Sequence, residues 1–66
     1  MKITLNGEVH DIAEQSTLEH LLVANGFADK RVAVEINRQI IPRSVYRERE
    51  IKAGDRIEIV HAIGGG

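Results

Sequence analysis

The segment Arg31-Val32-Ala33-Val34-Glu35-Ile36 alternates branched apolar residues with small or charged ones. A period of two fits a strand with one buried face, Val32, Val34 and Ile36 inward and Ala33 and Glu35 outward. A second run, Arg56 to Val60, repeats the pattern, with Ile57 and Ile59 inward and Glu58 and Val60 outward. Such half-buried strands must be covered on one face. With 66 residues there is room for one domain, 1–66, and one covering layer. A chain this short buries only about 60% of the surface it exposes when unfolded. It has no cysteine, and His10, His20 and His61 lack paired ligand spacing, so neither a disulfide framework nor a metal site is expected. The core must be aliphatic, since Phe27 and Tyr46 are the only aromatics.

The covering layer is a helix. Ser16-Thr17-Leu18-Glu19 has the form of a capping box, with Ser16 as the cap and Glu19 reaching back. Leu18, Leu21 and Leu22 then share one face, and Asn25-Gly26 stops the helix after about ten residues, Gly26 supplying the left-handed position. Phe27 is placed to cover its end. Before the helix, Ile3 and Leu5 alternate in a first strand, and Asn6-Gly7 favours a type I′ turn. A second strand runs from Glu8 to Ile12, but Val9 and Ile12 have opposite parity, which a bulge or an early strand end would explain. After Ile36, Asn37-Arg38 makes a turn into a short strand Gln39-Ile40-Ile41, which Pro42 ends. Residues 43–50 read as a polar loop with room for one helical turn, anchored by Val45 and Tyr46. Ala53-Gly54-Asp55 turns into the last strand.

The last strand is apolar enough to be central, beside the first, with the helix across both. That arrangement is α+β, a ubiquitin-like β-grasp with a mixed sheet of four to five strands and one main helix packed across one face.

Net charge is −1, which argues against a dedicated nucleic-acid binder. The charge is uneven. Residues 1–36 carry three cations and six anions, a sum of −3, and residues 37–66 carry six cations and four anions, a sum of +2. This is either an ordinary solvated surface or a mildly basic flank that helps a protein partner dock. No apolar run approaches the roughly 20 residues that span a bilayer, and the opening residues lack the apolar segment of a signal peptide. A cytoplasmic protein without membrane attachment is expected.

The chain closes on Ala62-Ile63-Gly64-Gly65-Gly66 directly after the last strand. Four residues beyond Ala62 reach roughly 13 Å when extended, at about 3.3 Å each. Glycines thread where any side chain would clash, so 64–66 read as a flexible tail suited to a narrow channel. A terminal carboxylate is anionic at neutral pH and can attack the α-phosphate of ATP if an enzyme holds both and a metal neutralises charge. Taken alone, three glycines read equally as a frayed end.

The segment Glu35-Ile36-Asn37-Arg38-Gln39-Ile40-Ile41-Pro42-Arg43, then Gly54-Asp55-Arg56-Ile57-Glu58-Ile59-Val60, then Ala62-Ile63-Gly64-Gly65-Gly66, resembles the sulfur carrier proteins of thiamine biosynthesis, the ThiS branch of the ThiS/MoaD-type ubiquitin-like family. So does the opening Ile3-Thr4-Leu5-Asn6-Gly7. The resemblance runs over the whole chain in order. It implies a β-grasp carrier that is a co-substrate rather than an enzyme. Gly66 would be adenylated by a ThiF-type adenylyltransferase, which uses ATP and Mg, while the carrier binds no cofactor itself. The adenylate would become a thiocarboxylate with sulfur from a donor enzyme such as a cysteine desulfurase. Thiazole synthase (ThiG) would receive that sulfur. Gly65 maps onto the family's penultimate glycine, and Gly64 extends the tail. The carrier is expected to be a monomer when free. Other readings are a molybdopterin-type sulfur carrier, a modifier that joins Gly66 to lysines, and a β-grasp interaction module without covalent chemistry.

On a β-grasp sheet the uncovered face would carry Lys2, Thr4, Ala33, Glu35, Glu58 and Val60. One of Ile40 and Ile41 must point outward, and with Val60, Ala62 and Ile63 it would form an apolar docking patch. The competing view is ordinary surface hydrophobes. His61 reads as a strand-end residue rather than a base.

Overall fold

The computed structural model describes residues 1–61. Five strands form one sheet: β1 (Lys2–Leu5), β2 (Glu8–Asp11), β3 (Val32–Ile36), β4 (Gln39–Ile41) and β5 (Arg56–His61), in the order β2-β1-β5-β3-β4. β5 lies at the centre, parallel to β1 and antiparallel to β3. One helix, α1 (Leu18–Ala24), packs Leu18, Leu21 and Leu22 against Ile3, Val34, Ile36 and Ile57 of the sheet. This is the β-grasp arrangement, with the expected alternation: Ile57 and Val34 are fully buried, whereas Glu58 and Glu35 are exposed.

The helix cap is shifted by one residue from the expected register. Thr17, not Ser16, caps the helix: its Oγ1 accepts from the His20 amide, and His20 Nδ1 accepts from the Thr17 amide, both at 3.2 Å. The reason is tertiary. Residues 16–18 pair with 49–51 through Ile51 N to Ser16 O at 2.9 Å and Leu18 N to Arg49 O at 2.8 Å. That pairing holds Ser16 outside the helix, and its hydroxyl donates instead to Ala13 O at 2.7 Å. The same contacts bury Ile51, an isolated isoleucine that shows no period in the sequence. The helix is seven residues long, shorter than expected. It ends in a Schellman motif, with Gly26 at φ 80° donating to Val23 O and Phe27 donating to Leu22 O.

β2 stops at Asp11 with regular pairing to β1, so Val9 and Ile12 are reconciled by an early strand end rather than a bulge. Val9 lies exposed on the uncovered face, opposite Thr4, and Ile12 packs against the core after the strand has ended. The Met1 ammonium donates to Ile12 O at 2.6 Å and to Asp11 Oδ1 at 3.0 Å. Its hydrogen bond to the Asp11 carboxylate pushes its pKa above the ordinary value, and the same bond holds Asp11 below the usual carboxylate range.

Both hairpin turns have positive φ at two central residues, Asn6 (51°) with Gly7 (85°), and Asn37 (52°) with Arg38 (71°). Gly7 suits its position, but Arg38 does not, because a Cβ in the left-handed region costs about 1–2 kcal/mol. Glycine is entropically costlier in the unfolded chain, so Arg38→Gly is expected to raise stability by about 0.5–1 kcal/mol. Thermal melts should show a rise of about 2–8 °C in Tm. A lower melting temperature would mean that the Arg38 side chain makes a contact worth more than the strain.

Candidate functional site

Ala62, Ile63, Gly64, Gly65 and Gly66, on which the expected chemistry and part of the docking patch fall, lie outside the described residues. The structure does describe the strand that leads to them. β5 pairs with β3 as far as His61, which lies opposite Val32. On its other side β1 reaches only Leu5, opposite Ile57. There the Asn6 side chain takes over, its Oδ1 accepting from the Ile59 amide at 2.8 Å. Asn37 holds the beginning of the same strand: its Oδ1 accepts from the Arg56 amide at 3.0 Å, and its Nδ2 donates to Asp55 Oδ1 at 3.0 Å. The first residue of each I′ turn is therefore also a clamp on β5. Reading the turns from sequence finds the dihedral preference of asparagine but not this second use of its amide.

Asp55 is the one buried charged residue among those described. Both of its oxygens are engaged, Oδ1 by Asn37 and Oδ2 by the Lys52 amide at 2.9 Å. It is a structural carboxylate that closes the turn into β5.

His61 is the last residue of β5, and its ring meets Phe27 edge-on, with centroids 5.6 Å apart and planes at 82°. Such a contact is worth about 0.5–1.5 kcal/mol beyond area burial for a well-packed aromatic pair. Phe27 is itself fixed by the helix-end motif and half-buried against the core. Position and direction at residue 61 are thus set by β3 on one side and the helix end on the other.

The uncovered face of the sheet carries an apolar strip. Ile40 is 75% exposed and Val60 is 60% exposed. Val60 lies opposite Ala33, and Ile40 lies opposite Glu35, one diagonal step from Ala33. Ile41 does not join them. It lies opposite Val34, is half-buried and packs against the core, so it leaves the expected docking set. Parity decides between the two isoleucines, and the pairing register is what fixes parity. Beside the strip, Glu35 and Glu58 are directly opposite on adjacent strands. Facing like charges are unfavourable to the sheet itself.

Among the described residues no group of three or more His, Asp or Glu side chains could hold a metal ion, and no helix is long and apolar enough to cross a membrane.

The sequence model of the ThiS family matches residues 3–66. A thiazole synthase of Magnetococcus marinus is 48% identical over all 66 residues, which make up 20% of that protein. The chain thus spans about a fifth of the length of the thiazole synthases it matches. The sulfur carrier protein ThiS of Bacillus subtilis is 40% identical over 65 residues, covering 97% of this chain and 98% of that one. In three dimensions, the crystal structure of the thiamine biosynthesis protein (ThiS) from Geobacter metallireducens superposes with a TM-score of 0.87, at 32% identity, over the whole of both chains.

Proposed function

The chain belongs to the ThiS family, whose named members are sulfur carrier proteins of thiamine biosynthesis, and from that premise we propose that it carries sulfur on the carboxyl group of Gly66. A ThiF-type adenylyltransferase joins one Gly66 carboxylate oxygen to the α-phosphorus of ATP, and pyrophosphate leaves. Magnesium held by that enzyme offsets the charge that builds on the phosphates. A persulfide sulfur of a donor enzyme then attacks the acyl carbon and AMP leaves, and a thiol cleaves the S–S bond of the resulting acyl disulfide, forming a new disulfide with the donor and releasing the Gly66 thiocarboxylate. Thiazole synthase takes the sulfur from that group. The carrier contributes no catalytic side chain. Its part is to present the tail in a fixed direction and to dock.

The single observation that carries this reading is the family match over residues 3–66, which includes the glycine end. The acceptor is supported by thiazole synthases that contain a segment like this chain. The contacts that fix the end of β5 at His61 and the exposed strip Ile40–Ala33–Val60 support this reading, the first as a base for presenting the tail and the second as a surface on which a partner docks.

Exchange of labelled pyrophosphate into ATP, with a ThiF-type enzyme and magnesium, tests the reading. The wild-type chain is expected to support exchange. Val60→Asp places a charge in the apolar strip, and about 1–3 kcal/mol of docking energy is at stake, or roughly tenfold to a hundredfold in the concentration required. The domain should stay folded with at most a modest fall in melting temperature, because Val60 is exposed, although the new carboxylate shares its face with Glu35 and Glu58. Exchange at unaltered carrier concentration would remove Val60 from the docking surface. No exchange with the wild type, where a known carrier supports it, would sink the proposed chemistry.

A further inference from the structure

A groove of about 600 Å³ runs between the end of α1, residues 27–32 and residues 43–47. It is a different surface from the uncovered sheet face. Its floor is apolar, formed by Leu22, Phe27, Val32 and Tyr46, and Val23, 59% exposed, stands at its lip. Burial pushes the Tyr46 phenol above its usual pKa, so the floor is uncharged at neutral pH. The rim is cationic. Lys30, Arg31, Arg43 and Arg47 line it against Glu19 and Asp29, four positive charges and two negative, a local sum of +2 on a chain whose net charge is −1.

Two of these cations make contacts across the surface. The Arg43 guanidinium donates from Nη2 to the Lys30 carbonyl at 3.3 Å, across the groove, and Arg47 Nε lies 3.9 Å from Glu19. Among the described residues, Lys30, Arg31 and Arg43 make no ion pair with a carboxylate. The groove also adjoins the root of the tail. Phe27 in its floor touches His61, and Val32 is the strand partner of His61. A partner that engages the end of β5 at His61 therefore meets the edge of the groove.

We propose that this groove is a second docking surface, which receives a carboxylate-bearing segment with an apolar side chain from the enzyme that takes up the tail. The inference rests on the reading that an enzyme engages residues 62–66. The apolar floor beneath a cationic rim matches an acidic peptide: the apolar side chain displaces water from the floor while the carboxylates meet the guanidinium groups, which favour planar bidentate pairing. Position beside the end of β5 gives the segment a high effective concentration once the same enzyme has bound the residues that follow.

The test uses the full chain, a ThiF-type enzyme and a thiazole synthase. Binding of the wild type and of a Lys30→Glu/Arg43→Glu variant to each enzyme is measured by calorimetry at low and moderate salt, with circular dichroism to establish that the variant folds. The expected result is weaker binding of the variant to at least one enzyme, by about tenfold at low salt and less at moderate salt. A milder variant, Arg47→Gln, should show the same trend if the double variant fails to fold. Unchanged affinity for both enzymes in a folded variant overturns the inference, and if the wild type still gains sulfur the carrier reading stands. A wild type that neither binds nor gains sulfur overturns the carrier reading, and the inference with it. Amide shifts in residues 22–32 on adding ATP and magnesium alone would assign the groove to a nucleotide instead.

Discussion

Replacing Ile57 by Ala is expected to bring the domain to the edge of unfolding at 25 °C. Ile57 is fully buried in the central strand, flanked by Leu5 on β1 and Ile36 on β3, in the same cluster as the helix leucines. Truncating an isoleucine in such a site costs about 2–5 kcal/mol, because the cavity cannot collapse without moving three elements. A single core in a chain below about 70–80 residues rarely supplies more than about 3–5 kcal/mol in total. The loss is therefore comparable to the whole stability. Ile57→Val removes one methylene and should cost only about 0.5–1.5 kcal/mol, leaving a folded protein. Urea titrations followed by circular dichroism separate the two. An alanine variant with a midpoint close to wild type would contradict the central placement of β5.

The second large effect is on function and leaves stability alone. Deleting Gly66 is expected to abolish adenylation while the melting temperature stays within about 4 °C of wild type, the shift that about 0.5 kcal/mol produces in a domain of this size. The clamps on β5 and the core cluster of the described residues involve residues 3–59. Deletion moves the carboxylate back by one residue, about 3.3 Å along an extended chain. In the proposed reading the enzyme docks the folded domain at a fixed position, and the shortened carboxylate then falls short of the α-phosphorus. A misplacement of about 1 Å already costs on the order of a hundredfold, and this displacement is larger. Adenylation of the shortened chain at the wild-type rate would show that the terminal position is not read by the enzyme.

The strands were legible in the sequence wherever one face was buried. Val32-Ala33-Val34-Glu35-Ile36 and Ile57-Glu58-Ile59 showed their facing, because burial on one side imposes a period of two, whereas each strand differs by one residue at one end from the expected Arg31–Ile36 and Arg56–Val60. The places where reading and structure part are tertiary. Ser16 and Thr17 are equally good caps by type, and only the pairing of residues 16–18 with 49–51 selects Thr17. Ile51 carries no periodic signal and is buried by that same pairing. Ile40 and Ile41 could not be told apart until Glu35 was seen opposite Ile40.

The site was partly legible for the same reason. Val60 on the uncovered face follows from strand parity, but its link to Ile40 through Ala33 depends on the order of β5, β3 and β4. A basic flank was visible as a charge imbalance in residues 37–66. The groove itself draws Lys30 and Arg31 from one half of the sequence and Arg43 and Arg47 from the other, so no local window contains it. The amide groups of Asn6 and Asn37 reach 53 and 19 residues along the chain to hold β5, contacts that no spacing rule encodes.

The most direct measurement is the intact mass of the chain after incubation with ATP, magnesium, a ThiF-type enzyme and a sulfur source. The account predicts a gain equal to one oxygen replaced by sulfur, dependent on ATP and located on the C-terminal peptide. Subsequent incubation with thiazole synthase and its other substrates should return the mass to its starting value. An unchanged mass under conditions in which a known carrier gains sulfur would contradict the account, leaving a β-grasp domain that docks without carrying.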